Sequence, residues 1–280
     1  MSPRRVGLIG FGSVGQYLAT ELRDAADHDL AFVYNRSDRA FDHPALQQVR
    51  KASGAFDQVW PALDGEGVDV VVEVAHPSLV TQFGERILES ADLYVASITA
   101  LADASVAGAL RNAAVSHALY LPAGAAWGVN DVARMDRIGS VQQLNVAMRF
   151  HADSLRLNGE PAERLAAYRA DADDDAPCLL FDGSVEALAP LAPNNVNTMT
   201  CLALAASKLG PANTGARLFA HKLDHAHIVE VDVLSAGGFH VHTRRYNPAL
   251  PGAVTGSATY GAFLASLLAT GGHKSGMHFC

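Results

Sequence analysis

Residues 5–9, Arg5-Val6-Gly7-Leu8-Ile9, run straight into Gly10-Phe11-Gly12-Ser13-Val14-Gly15, and no other stretch of the 280-residue chain limits its fold as tightly. The first run reads as a buried strand. Behind the glycines, residues 13–26 place Val14, Leu18, Leu22 and Ala25 at spacings of three and four, the stripe of a helix packed on one side. A glycine triplet alone is a weak signal. Between a strand and a helix at the head of a chain, it has the context that dinucleotide binding needs. There Gly10 permits the tight turn, Gly12 lets backbone approach a pyrophosphate, and Gly15 allows close helix–strand packing. The helix start at Ser13 and Val14 then offers free N–H groups and a positive dipole end to phosphate.

A second strand is expected over residues 29–34. An NAD-preferring site carries Asp or Glu about 20 residues past the glycines, at the end of that strand. This sequence has Asn35-Arg36-Ser37 instead. A carboxylate would hold a ribose 2′-hydroxyl and repel a 2′-phosphate; Arg36 supplies a planar cation able to stack on adenine or pair with that phosphate. Ser37 adds a small donor and Arg39 a second cation, so NADP is favoured, with NAD possible. The competing reading leaves Arg36 in solvent and gives the ribose to Asp38.

Beyond this point strands and helices alternate. Residues 68–74 are nearly all Val, as a strand covered on both faces requires. Residues 78–90 follow as a helix with Pro77 near its start, then a strand over 93–98, a helix over 103–117 and a short strand over 118–121. The alternation predicts an α/β chain whose first part is a Rossmann-type open parallel sheet with right-handed crossovers. Ligands of such sheets lie beyond the carboxyl ends of the strands. Those ends hold Ala75-His76-Pro77, Thr99 within residues 98–100, and residues 122–128, so Ala75, His76 and Thr99 are candidate cofactor contacts. A lone loop histidine such as His76 is as often incidental.

After Pro122 the rhythm changes. Residues 141–150 alternate in and out with Val146, Met148 and Phe150 on one face, and residues 216–223, 227–235 and 238–246 read as further strands, partly in hairpins. A second α+β domain with a mixed or antiparallel sheet is expected. Residues 257–270 form an amphipathic helix expected to return to the first domain. The division is then 1–127 for dinucleotide binding, with 253–280 packed back on it, and 128–252 for substrate and dimerisation. Residues 171–175, with four aspartates, read as a solvated acidic turn.

Composition excludes several functions. A net charge of −8 gives no general attraction to nucleic acid or anionic membrane, and Arg4-Arg5 and Arg244-Arg245 are too short to reverse that. At 49% hydrophobic residues the chain is globular rather than disordered. No apolar run approaches the roughly 18 residues of a membrane span, and the opening Met1-Ser2-Pro3-Arg4-Arg5 does not resemble a signal peptide. Cys178, Cys201 and Cys280 are odd in number and without metal spacing, which suits a reducing compartment; a cytoplasmic protein is expected.

Two polar clusters stand out in the second half. Pro193-Asn194-Asn195-Val196-Asn197 precedes an apolar helix, residues 199–209, and helix capping explains one Asn but hardly three. Asp224-His225-Ala226-His227 stands at the start of a strand, and histidine is the side chain best suited to moving protons near neutral pH. The two histidines could also be a metal pair, but no cysteine or carboxylate cluster completes such a site, so no metal is expected.

With these residues in place, the sequence resembles the L-aspartate dehydrogenases, in their animal branch, through almost its whole length. The likeness is carried by Gly10 to Gly15, Val72-Glu73-Val74-Ala75 before Pro77, Pro122-Ala123-Gly124-Ala125, Phe181-Asp182-Gly183-Ser184-Val185-Glu186-Ala187, Pro193 to Asn197, and His227-Ile228-Val229. The resemblance implies NAD(P)-dependent oxidative deamination of L-aspartate, through iminoaspartate, to oxaloacetate and ammonia, with hydride passing from Cα to nicotinamide C4. It implies His227 as the catalytic acid/base, Ala125 and Asn195 or Asn197 as cofactor contacts, a homodimer, and a second domain like that of glyceraldehyde-phosphate dehydrogenase and dihydrodipicolinate-type reductases. His225 competes with His227, which the register of Ile228-Val229 favours. Asn195, Asn197 and Arg245 are candidates for the substrate carboxylates, although Arg245 also reads as a surface residue. Two other readings stay open: the same cofactor with another small dicarboxylic or imine substrate, and a non-catalytic NADP-binding sensor or scaffold.

Overall fold

A computed structural model of the chain describes residues 2–124, 126–171, 176–273 and 275–280. Ala125 and most of the acidic 171–175 turn therefore lie outside the described residues. The first half alternates β1 (Arg4–Ile9), α1 (Ser13–Arg23), β2 (His28–Asn35), β3 (Arg50–Ser53), α2 (Phe56–Asp64), β4 (Val70–Glu73), α3 (Pro77–Ile87), β5 (Asp92–Val95), α4 (Ala104–Ala113) and β6 (Ala118–Leu121). The second half holds α5 (Val129–Arg137), β7 (Val141–His151), α6 (Gly159–Ala170), β8 (Cys178–Ser184), α7 (Val185–Leu188), α8 (Asn197–Ala205), α9 (Gly210–Asn213), β9 (Gly215–His221), β10 (Ala226–Ser235) and β11 (His240–Pro248). Helix α10 (Ser257–Leu268) and strand β12 (Gly276–Phe279) follow.

Strands β1 to β6 pair in parallel, and β12 joins at the far edge, giving the order β12-β6-β5-β4-β1-β2-β3. Both faces are covered, which is why β4 and β6 are buried at every position. On one face Leu18 and Leu22 of α1 meet Val33, Val72 and Leu267; on the other Phe56 and Trp60 of α2 belong with Ile9, Val71 and Leu93. β3 and α2 escape a pattern search. Arg50-Lys51-Ala52-Ser53 is an edge strand without alternation, paired to β2 on one side, and α2 carries an internal Pro61.

The second sheet has the order β11-β10-β7-β9-β8 and is mixed, because β7 and β9 run parallel. Of the three strands read in the sequence, β10 and β11 form a hairpin, whereas β7 separates β9 from β10, so the three are not one meander. Val146, Met148 and Phe150 share one buried face of β7, matching the alternation. The chain then comes back to the first sheet. Tyr260 on α10 meets Tyr17 on α1 edge to face at 5.5 Å, Tyr94 donates to the Phe263 carbonyl at 2.9 Å, and the Cys280 carbonyl accepts from Ala123 N–H at 2.8 Å.

Strand β4 stops short of the expected residue 74 for a chemical reason. The Glu73 carboxylate, fully buried, accepts from the backbone N–H groups of Ala75 at 2.7 Å and His76 at 2.9 Å, turning the chain out of the sheet. It also accepts from Ser97 N–H at 3.1 Å and the Ser97 hydroxyl at 2.9 Å, which ties the ends of β4 and β5 together. Burial pushes this carboxyl up to about 7, with the four donors pulling the other way. A carboxyl raised above its ordinary 4.5 contributes stability fully present at low pH and lost as pH rises through about 7. Glu73→Gln places an N–H₂ among obligate donors. It is expected to cost about 2 kcal/mol in urea unfolding and to flatten the fall in stability between the ordinary 4.5 and about 7. An unchanged pH slope would assign that fall to another group.

Candidate active site

The phosphate loop is built by close approach. Gly10 has φ +102°, and a Cβ there would lie 2.8 Å from the Val74 carbonyl carbon and 2.9 Å from Ala75 Cα. A Cβ on Gly15 would fall 2.1 Å from the Gly10 carbonyl oxygen, so α1 sits hard against the turn. Gly12 is different: it is exposed, and a Cβ there meets nothing within 4 Å. The space beside it is thus open to a ligand. Helix α1 begins without a side-chain cap and without an acidic residue in its first turn, which leaves the N–H groups at Ser13 and Val14 for an anion. This cradle fits a dinucleotide pyrophosphate.

Beyond β2, the Asn35 amide accepts from Phe11 N–H at 3.2 Å and donates to the Ser37 carbonyl at 2.9 Å, locking the glycine turn to the next loop. Arg36, Ser37, Asp38 and Arg39 are all exposed, and neither arginine pairs with a carboxylate of the described residues. Two free cations therefore flank the place where an adenine ribose would lie.

A cleft opens between the carboxyl ends of the first sheet and the second sheet. Val14, Ala75 and Gly124 line one side, with Phe150, Asn197 and His227 on the other. Alternation along β10 puts His227 on the same face as the buried Val229, Val231 and Val233. His227 is 5% exposed, its ring centred 4.5 Å from that of Phe150, and its Nε2 lies 3.0 Å from the Ala253 carbonyl. A carbonyl can only accept, so Nε2 carries the hydrogen and Nδ1 is the basic nitrogen. Burial holds the imidazole below its ordinary 6.5, against a smaller opposite effect of the Ala253 hydrogen bond, so the ring is neutral at pH 7. His225 is exposed ahead of the strand, and Asp224 is spent on Arg149 at 2.6 Å and His221 at 3.0 Å. The four-residue cluster of the sequence is thus drawn to separate places.

The other expected contacts divide in the same way. Asn197 Oδ1 accepts from the backbone N–H of Thr99 at 2.9 Å and its hydroxyl at 2.5 Å, so one amide ties α8 to the turn after β5. Asn195 is buried and spends both ends of its amide on backbone, accepting from Arg156 N–H at 3.0 Å and donating to the Ser154 carbonyl at 3.1 Å. No side chain caps α8, so capping does not explain the asparagines. His76 does cap: its Nδ1 accepts from Ser78 N–H at 3.2 Å at the start of α3, a local task for an exposed ring. Arg245 is half-buried with Nη1 3.4 Å from the Gly124 carbonyl, closer to the cleft than a plain surface residue. Ser97, Met148 and Arg156 line the cleft without having been marked in the sequence. A lone arginine in a loop carries no signal until topology places it. Among the described residues no group of three or more His, Cys, Asp or Glu side chains is arranged to hold a metal ion, and no helix is long and apolar enough to cross a membrane.

Residues 10–121 match the NAD-binding domain of homoserine dehydrogenase, and residues 131–266 match the C-terminal domain of aspartate dehydrogenase. The chain is 39% identical to an aspartate dehydrogenase domain-containing protein of Danio rerio and 35% identical to one of Xenopus tropicalis, each alignment covering 99% of this chain and 98% of the relative. An L-aspartate dehydrogenase of Methanospirillum hungatei is 25% identical over 72% of both chains. The crystal structure of aspartate dehydrogenase from Thermotoga maritima shares the fold, with a TM-score of 0.65, 19% identity, and 95% of this chain and 94% of that one covered. A two-sheet chain with a dinucleotide cradle and these domains is a nicotinamide-dependent oxidoreductase of the amino-acid dehydrogenase type. It belongs to the aspartate dehydrogenase family.

The glycines give a paired test. Gly15→Ala is expected to destabilise the fold by about 1–3 kcal/mol through its clash with backbone, read by thermal unfolding. Gly12→Ala is expected to stay within about 0.5 kcal/mol of the parent while weakening dinucleotide binding in a fluorescence titration. Equal effects of the two on stability would contradict these separate tasks.

Proposed function

We propose that the protein oxidatively deaminates L-aspartate, through iminoaspartate, to oxaloacetate and ammonia, with NADP preferred to NAD. The observation that carries this reading is His227, a buried neutral imidazole of fixed tautomer on the cleft that the phosphate loop also borders. The pyrophosphate is assigned to Gly10, Gly12, Ser13, Val14 and Gly15, the adenosine end to Asn35, Arg36 and Ser37, and the nicotinamide side to Ala75, Thr99, Asn197 and, through the loop it holds, Asn195. Ala125 completes that set by resemblance. When bound, the nicotinamide takes up the hydride of the substrate Cα–H bond. His227 Nδ1 accepts the proton of the substrate ammonium, so that nitrogen can push electrons toward Cα. Once that proton has passed to solvent, the same nitrogen assists the addition of water to the imine. Phe150 and the Ala253 carbonyl fix the ring, and the surrounding apolar wall keeps it neutral. Residues 1–127 with 253–280 would bind cofactor, and residues 128–252 would carry substrate. The outer face of the second sheet exposes Leu234 and Tyr246, which supports a homodimer through that face.

Purified protein mixed with L-aspartate and NADP should raise the absorbance of reduced nicotinamide; tight NADP binding without turnover would favour the sensor. His227→Ala is expected to lower kcat/KM by about a hundredfold to ten-thousandfold. Because protonation disables the base and burial lowers its pKa, activity should fall on the acid side only below pH 6.5. Full turnover by the variant would remove His227 from the chemistry. Arg36→Asp is expected to weaken NADP about tenfold or more and to reverse the preference toward NAD; tighter parental binding of NAD than of NADP would reject the NADP preference.

A further inference from the structure

An amino-acid substrate with two carboxylates needs cations, and the cleft offers one that pairs with no carboxylate of the described residues. Among its described lining residues Arg156 is the sole permanent cation. Its Nη1 donates to the carbonyls of Asp153 at 2.6 Å and Leu155 at 3.0 Å. Neither Nε nor Nη2 has a partner among the described residues, and no carboxylate pairs with the side chain. The free Nε–Nη2 edge presents two parallel N–H groups, the geometry that matches a carboxylate fork to fork. The loop beneath is set in advance: the buried Asn195 amide grips Arg156 N–H on one side and the Ser154 carbonyl on the other. Arg245, the other arginine near the cleft without a carboxylate partner, reaches the Gly124 carbonyl and does not line the cavity.

Exposure separates the two ends of the cleft. His227 lies buried beside Phe150, whereas the Arg156 side chain stands exposed at the mouth. The α-carboxylate is bonded to the reacting carbon and must enter the buried half with it. A second carboxylate, further along the substrate, reaches back toward the mouth.

We propose that Arg156 is the specificity-determining residue that binds the side-chain carboxylate of a dicarboxylic amino acid, positioned for it by Asn195. The assignment rests on reading this cleft as the substrate site. It makes the protein select substrates by a distal negative charge rather than by size alone, because a monocarboxylic substrate leaves the guanidinium edge unpaired.

Two measurements on the full chain test this. Calorimetric titration of the NADP-loaded protein with succinate and with butyrate should show succinate bound more tightly. Arg156→Gln should lose about tenfold to a hundredfold in succinate affinity while butyrate, NADP affinity and the unfolding midpoint hold. Arg156→Lys should recover part of the loss. In turnover, Arg156→Gln should raise KM for L-aspartate far more than it changes kcat, and leave L-2-aminobutyrate unaffected. Equal losses for succinate and butyrate would reduce Arg156 to a prop for its loop, and either unchanged succinate affinity or a parent that binds no succinate would overturn the proposal. The outcomes separate the two readings. A parent that binds succinate through Arg156 but does not oxidise aspartate keeps this assignment and rejects the deamination. A parent that oxidises aspartate equally well as Arg156→Gln does the reverse.

Discussion

The approach of Gly15 to the Gly10 carbonyl is the contact on which the first sheet and the cleft both depend. With no room for a methyl group between them, α1 starts directly at the end of β1 and its N-terminal N–H groups point past Gly12 into open space. A longer connection would set the helix back from the sheet edge, and its dipole would act on solvent instead of on a bound anion. The same compactness lets Val14 serve the cleft while Leu18 and Leu22, one and two turns on, are buried in the core. Cleft lining and core packing are thus two faces of one short helix.

Around that point the carboxyl edge of the sheet is stitched by polar side chains, Glu73 fully buried and Asn35 and Asn197 half-buried. Glu73 gathers the turns after β4 and β5, Asn35 joins the turn after β2 to the glycine loop, and Asn197 joins Thr99 to α8. Buried polar groups of this kind stabilise only when every donor and acceptor is matched, and each of these is aimed at backbone N–H or C=O. The result is a rim whose loops are held from inside. Its two sheets share a boundary where α8 packs on the turn at residues 98–102, and the return of α10 and β12 to the first sheet closes the side of the cleft near Phe263.

Much of this was legible locally. Strand, glycine loop and helix lie within 20 residues, and each glycine has a task that follows from backbone geometry alone. Continuous valine at β4 identified a strand covered on both faces. Alternation in β7 picked one buried face of the second sheet, that of Val146, Met148 and Phe150. Segments whose structure is imposed by neighbours gave no such sign. Arg50 to Ser53 becomes a strand because β2 offers an edge, and β9 pairs with β7 rather than with β10 because a crossover separates them. Polar residues were the least legible, since an amide or imidazole has several possible partners. His76 took the nearest one, the N-terminus of α3, and Asn195 took two backbone groups forty residues upstream. Arg156 lay in no pattern, because its meaning comes from the loop that Asn195 holds and from the cleft it faces.

By itself the sequence determined the dinucleotide cradle, the two-part α/β organisation and, through the missing carboxylate after β2, the cationic character of the loop that follows that strand. These rest on spacing and backbone freedom, properties that neighbouring residues settle among themselves. Only the tertiary structure decided which polar groups remain free for chemistry. It removed Asp224 to Arg149 and His221, gave His227 a carbonyl that fixes its tautomer and a dry wall that keeps it neutral, and left one edge of Arg156 unpaired at the cleft mouth. Protonation state and hydrogen-bond availability depend on what surrounds a side chain in space, and chain order does not encode that surrounding.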